Sequence, residues 1–218
     1  VLYSGAQETF RRLIAPYYDG EALDQRLYDT EMRNLEFFGY GIKGFTLSLI
    51  ETAIELSEGR IHGHEIQKII DLARDMLRAD IELLDHVEEA VTALAGSHRL
   101  MIITKGDLLD QELKIARSGL GRYIEYVEIV ADKRPERYAA ILARYGVPPD
   151  RFLMVGNSLR SDVLPVLAIG GNAVHIPYRI TWAHEAVGAE EMAGAAIVEL
   201  EHIGQLPALV ARLEEEPA

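Results

Sequence analysis

The sequence predicts an α/β protein in two regions: a helical stretch, then a doubly wound parallel sheet with helices on both faces. Three observations carry that expectation. Residues 6–80 show apolar spacing of helical period and no convincing strand. Beyond them, short apolar runs alternate with amphipathic stretches, which is the pattern of a parallel sheet. The first of them, Leu100-Met101-Ile102-Ile103, is continuous rather than alternating, which suits a strand buried on both faces.

In the helical region, Phe10, Leu13 and Ile14 share a face, with Tyr17 one turn on, and Asp19-Gly20 is a turn signal that ends the helix. A second helix is expected over Asp24 to Phe38, with Leu27, Met32, Leu35 and Phe38 apolar. Gly39-Tyr40-Gly41 and Gly44 then break the chain, and Thr46 is placed to cap a third helix through Leu56, stopped by Gly59. A fourth runs from His64 to Ala79 on Ile66, Ile69, Ile70, Ala73 and Leu77.

The second region opens with a helix over Asp85 to Ala95. Leu100-Met101-Ile102-Ile103 is the first expected strand, followed by a helix over Leu108 to Ser118 that Gly119 closes. Tyr126 to Val130 is the second strand, and Pro135 suits the first position of a helix reaching Tyr145-Gly146. Phe152 to Val155 is the third strand, Asp162 to Ile169 a helix ended by Gly170-Gly171, and Ala173 to Ile176 the fourth strand. Ala196 to Glu199 is a fifth, and Gln205 to Glu214 a closing helix.

Composition narrows the function classes. Of 218 residues, 49% are apolar and 26% charged, ordinary for a globular chain with a substantial core. The formal charge of −13 repels a polyphosphate, so neither nucleic acid nor an anionic membrane is the expected partner. There is no Cys, hence no disulfide, thiolate metal site or Cys nucleophile, which is compatible with a cytoplasmic location. No apolar run reaches the roughly 20 residues of a membrane helix. The opening Val1-Leu2-Tyr3-Ser4, without Met, reads like the interior of a longer polypeptide.

Ligands of a doubly wound sheet bind beyond the carboxyl ends of its strands. Three expected strands end in suggestive polar residues. The first ends Ile103-Thr104-Lys105-Gly106-Asp107, where a hydroxyl followed by backbone N–H groups makes a phosphate cradle. The second ends Val130-Ala131-Asp132-Lys133, placing an ammonium that can neutralise a transferring phosphoryl group. The third ends Val155-Gly156-Asn157-Ser158, with Asp162 five residues after Asn157, oxygen donors that suit a hard cation such as Mg²⁺. Each also has a plain structural role: Thr104 as a helix cap, Lys133 as a solvated loop lysine, Asp162 as an N-terminal helix charge. It is their order at successive strand ends that argues for chemistry.

That ordered set resembles the second, third and fourth motifs of haloacid dehalogenase-like (HAD) hydrolases. Met101-Ile102-Ile103-Thr104 matches the apolar strand ending in Thr or Ser, Lys133 the motif lysine, and Phe152-Leu153-Met154-Val155-Gly156-Asn157-Ser158 with Asp162 the fourth motif, with Asn157 where Asp is usual. The resemblance covers about residues 85–200. It implies a Rossmann-like doubly wound parallel sheet core with an inserted all-helical cap domain: cap and hinge over 1–82, core over 83–218 lacking its first strand. That strand carries the family's Asp-x-Asp nucleophile, which the sequence does not show. Its absence is expected to leave unpaired backbone near the sheet centre, and about a dozen or more preceding residues are expected by strand length.

The resemblance further implies a Mg²⁺-dependent phosphatase of a small phosphorylated metabolite, working through an aspartyl-phosphate. Thr104 and Lys133 are the catalytic candidates. Thr104, Lys105, Gly106 and Lys43 are the substrate-binding ones, and Asn157 and Asp162 would hold the metal. A haloacid dehalogenase, and a non-catalytic binding or regulatory protein without the nucleophile, are the alternatives. A homodimer is compatible with the reading. A dinucleotide-dependent dehydrogenase is set aside, because no Gly-x-Gly-x-x-Gly follows a strand.

Lys43 lies in the glycine-rich stretch Gly39 to Phe45, which either selects substrate over the active site or simply connects two helices. His62 and His64 invite a metal reading but lack a third ligand nearby. Trp182 and His184 either line the rim of the site or pack a late loop.

Overall fold

The computed structural model describes residues 2–178 and 197–215. In chain order the elements are α1 (Leu2–Ile14), α2 (Leu23–Phe38), α3 (Ile42–Leu56), α4 (Gly63–Arg78), α5 (Val87–Ala95), β1 (Met101–Lys105), α6 (Leu108–Ser118), β2 (Tyr126–Val130), α7 (Pro135–Tyr145), β3 (Leu153–Gly156), α8 (Leu164–Leu167), β4 (Asn172–His175), β5 (Val198–Glu199) and α9 (Leu206–Glu215). They form two compact units, Val1–Ile81 with Lys105–Arg117, and Glu82–Thr104 with Ser118–Ala218.

The first unit is helical. Phe10 and Ile14 of α1, Leu27 of α2, Phe45 and Leu49 of α3, and Ile69 and Met76 of α4 share one apolar cluster. Two expectations are corrected here. α2 buries Leu27, Thr30, Glu31 and Asn34, whereas Phe38 is 51% exposed. The stripe is still helical in period, but its partners on α3 are polar: Asn34 Nδ2 donates to Ser48 Oγ at 3.2 Å and to Glu51 Oε2 at 2.6 Å. Thr46 does not cap α3; it lies one turn inside, its hydroxyl donating to the Ile42 carbonyl at 2.6 Å. The helix starts earlier because Gly41, at φ 126°, makes a turn that an L side chain rarely adopts.

The second unit holds the strands. β3, β4 and β5 pair in that order, all parallel, while β1 and β2 form a separate two-stranded sheet. Among the described residues β3 pairs only with β4. Ile103 of β1, Val130 of β2, Met154 of β3 and Ala173 of β4 nevertheless share one core cluster with Tyr138 and Ile141 of α7. Burying side chains of this size contributes about 1.5–3 kcal/mol each.

The helix expected over Asp162 to Ile169 is replaced by a π-helical turn, Leu159–Val163, leading into the short α8. Pro165 gives the reason. It has no N–H to donate to the carbonyl four residues back, that of Ser161. The buried Tyr138 hydroxyl donates to that carbonyl instead, at 2.9 Å. Trp182 and His184, and the expected start of the fifth strand at Ala196, lie outside the described residues.

Candidate functional site

In the second unit the polar residues stand at or just past the carboxyl ends of the strands. Thr104 is the fourth residue of β1, directly after the core residue Ile103. Lys133 follows β2 by three residues, and Asn157 follows β3 directly. Lys133 and Asp162 meet: Nζ donates to Oδ1 at 2.6 Å, with side chains only 10% and 7% exposed. The other carboxylate oxygen, Oδ2, accepts the Ser158 N–H at 3.0 Å. Ser158 also organises the turn, since its Oγ accepts from the Ser161 N–H at 3.0 Å. Gly156 leaves the room this requires, because a Cβ there would stand 2.2 Å from Asp162 Oδ2.

The remaining substrate-binding candidates belong to the first unit. Lys43 sits in the first turn of α3 and donates to Asp107 Oδ1 at 2.8 Å. That ammonium, with the Asp110 and Leu109 N–H groups, holds the Asp107 carboxyl below its usual range. Lys105 Nζ lies 4.4 Å from the centre of the Tyr40 ring, a cation–π contact. Gly106, at φ 143°, makes the turn between them. The stretch from Gly39 is therefore loop only through Gly41 and helix from Ile42 onward.

A Mg²⁺ that keeps several waters needs one or two protein oxygens together with phosphate. Asp162 and the exposed Asn157 can supply that number. Both Asp162 oxygens already accept hydrogen bonds, but each carboxylate oxygen has a second lone pair. The pair therefore fits a water-rich Mg²⁺, not an all-protein cage. No three His, Cys, Asp or Glu side chains gather as a metal site among the described residues. His62 and His64 stack at 5.6 Å, and the His62 N–H donates to Glu65 Oε2 at 3.0 Å, a helix-start role.

Two residues make contacts that the sequence does not announce. Tyr138 reads as an ordinary core aromatic in α7, yet its hydroxyl fixes the turn carrying Asp162. His175 ends β4 and is 9% exposed, with Nε2 3.2 Å from the Asn157 carbonyl oxygen and Nδ1 2.9 Å from Glu199 Oε2. A His closing an apolar run was the available signal for it. For Tyr138 the helical spacing alone carried none.

No helix among the described residues is long and apolar enough to cross a membrane. No curated protein matches the chain. Among solved structures, a haloacid dehalogenase-like family hydrolase from Xanthomonas campestris is 41% identical with a TM-score of 0.86, covering 98% of this chain and 85% of that one. A 2-haloacid dehalogenase from Pseudomonas syringae shares the fold at 18% identity and TM-score 0.64, over 97% of this chain and 92% of that one. So does a HAD-type protein of Bacillus subtilis whose structure was solved bound to magnesium, at 14% identity and TM-score 0.60, over 95% and 92%. The family model for haloacid dehalogenase-like hydrolases matches residues 2–170, and the chain belongs to that family of hydrolases.

Proposed function

We propose that this hydrolase is a Mg²⁺-dependent phosphatase of a small phosphorylated metabolite. The observation that carries the reading is the buried Lys133–Asp162 pair beyond the strand ends. Lys133 there presents a fixed positive charge to an incoming phosphoryl group and lowers the cost of charge building up during transfer. The Thr104 hydroxyl, with the N–H groups of Lys105 and Gly106, would hydrogen-bond the phosphoryl oxygens. Lys43 and Lys105 would supply positive charge for an anionic part of the substrate. Asn157 directly, and Asp162 directly or through water, would hold Mg²⁺, which when bound supplies further positive charge at phosphate.

The attacking group in this reading is a carboxylate of the family's Asp-x-Asp strand, forming an aspartyl-phosphate. The test therefore uses protein expressed from the complete reading frame, assayed for phosphate release across a broad panel of phosphate esters with and without Mg²⁺. Thr104→Val should lower turnover about a hundredfold, the usual loss for one donor to a developing oxyanion. Absence of Mg²⁺-dependent phosphate release from every ester would end the reading.

One observation favours a second reading. Asn157 removes a negative charge from the place where a metal would sit, and a haloacid dehalogenase needs no metal there. Halide release from 2-chloropropionate, insensitive to chelator, would decide for it.

A further inference from the structure

Three strand ends stand at one level of the parallel sheet. Gly156 of β3 is in register with His175 of β4, and His175 with Glu199 of β5. Immediately beyond Gly156, the peptide joining Asn157 to Ser158 is held on both sides. Its carbonyl faces His175 Nε2 at 3.2 Å, and its N–H donates to Asp162 Oδ2 at 3.0 Å. No cis peptide is present among the described residues, so the two groups of this unit point in opposite directions. His175 and Asp162 therefore hold one rigid plane from its two opposite edges.

A carbonyl oxygen can only accept, so Nε2 must carry the hydrogen in that contact. Nδ1 lies 2.9 Å from Glu199 Oε2; with Nε2 already donating, a hydrogen bond there needs a second hydrogen between two acceptors. From the ring inward the chain is continuous: His175 imidazole, the 157–158 peptide, Asp162 carboxylate, Lys133 ammonium. Donation to the carbonyl polarises the peptide and makes its N–H the stronger donor to Asp162. Low exposure protects the links from competition by water: Ser158 and Asp162 are 6% and 5% exposed.

We propose that His175 is a positioning residue for this site: by holding the Asn157 carbonyl it sets the peptide that orients Asp162, and through Asp162 the ammonium of Lys133. Its consequence for turnover rests on the phosphatase reading; its consequence for the peptide does not. Glu199 stands outside that chain, its side chain 62% exposed.

The test compares His175→Phe, which fills the space without a donor, with His175→Gln, whose amide places an N–H near the position of Nε2. Two readouts are taken on the full-length protein: hydrogen exchange at the Ser158 amide, and phosphate release with kcat and KM separated. His175→Phe should speed Ser158 exchange selectively and lower kcat about ten- to a hundredfold, the range usual for partners that orient a first-contact ligand. His175→Gln should recover most of both. Unchanged Ser158 exchange in His175→Phe overturns the proposal. So does a uniform rise in exchange across β3 and β4 with no recovery in His175→Gln, which marks a merely structural role. If wild-type protein releases no phosphate, the phosphatase reading fails while Ser158 exchange still decides the positioning role.

Discussion

Lys133 Nζ and Asp162 Oδ1 lie 2.6 Å apart with both side chains nearly out of solvent, so neither charge has water to fall back on. Removing one partner of such a pair strands the other, at about 3–5 kcal/mol. Lys133→Met should therefore destabilise by that order, and so should Asp162→Leu. The double variant should lose much less than the sum, because no charge is left unpaired. Urea unfolding of the four proteins closes the cycle, and simple additivity would show that the two groups are not coupled.

Glu31 poses the opposite problem. It is 9% exposed on the α2 stripe, and its Oε1 has no hydrogen-bond partner among the described residues. Burial pushes its carboxyl from the ordinary 4.5 up to about 7. An acid whose pKa is higher folded than unfolded binds more protons folded, so stability is greatest at low pH and falls as pH rises. The window here runs from about 4.5 to about 7. At about 1.4 kcal/mol per pH unit, the ceiling on the loss is about 3 kcal/mol. Glu31→Gln should flatten this dependence, gaining on the wild type at pH 8 and not at pH 4. Melting curves at the two pH values measure it. Tyr3 faces the same region from α1, its hydroxyl pushed up to about 12 by burial, then by Asp110 and Glu31, so it stays neutral across the window.

The same α2 stripe shows how far the sequence could be read. Helical period at Phe10, Ile14, Leu27 and Ile69, and continuous apolar runs at Ile103, Met154 and Val174, were visible and ended in the core. Thr30, Glu31 and Asn34 were not, because a buried polar stripe is recognisable only from the Ser48 and Glu51 groups that answer it on another helix. At the site, the order of Thr104, Lys133 and Asp162 was legible because each sits at or near a strand end. The π-helical turn was not, since Pro165 by itself signals only an interrupted helix, and the Tyr138 hydroxyl that takes up the freed carbonyl lies 23 residues away. The contacts of His175 were hidden for the same reason, being set by strand register.

Lys43 and Asp107 make a surface pair, their side chains 55% and 29% exposed. Such pairs contribute about 0–1 kcal/mol because solvent screens them. Asp107 is held below its usual range, so what the pair does contribute is present above the unfolded value and lost as pH falls. Lys43→Met should leave the melting temperature nearly unchanged. If Lys43 serves an anionic substrate group, KM should rise severalfold with kcat preserved, and Asp107→Asn, which leaves the ammonium without its competing carboxylate, should lower KM. Unaltered KM in both variants would reduce Lys43 to a solvated helix-start lysine.

Gly156 allows the crowding around Asp162 to be tested without touching a charge. Its backbone is not in the left-handed region, so any residue could adopt it; what is missing is space. A Cβ would stand 2.2 Å from Asp162 Oδ2 and 2.4 Å from its Cγ. The backbone cannot easily retreat, since the Gly156 carbonyl accepts the Ile176 N–H at 2.9 Å in the β3–β4 pairing. Asp162 must give instead, loosening its bonds to the Ser158 N–H and Lys133 together. Gly156→Ala should cost about 1–3 kcal/mol, as overpacking usually does, and should speed exchange at the Ser158 amide. Gly5→Ala, with nothing within 4 Å of the added carbon, is the matched control and should be neutral or slightly stabilising. A Gly156→Ala protein as stable as wild type, with Ser158 still protected, would mean that the Asp162 carboxylate is not held where these distances put it.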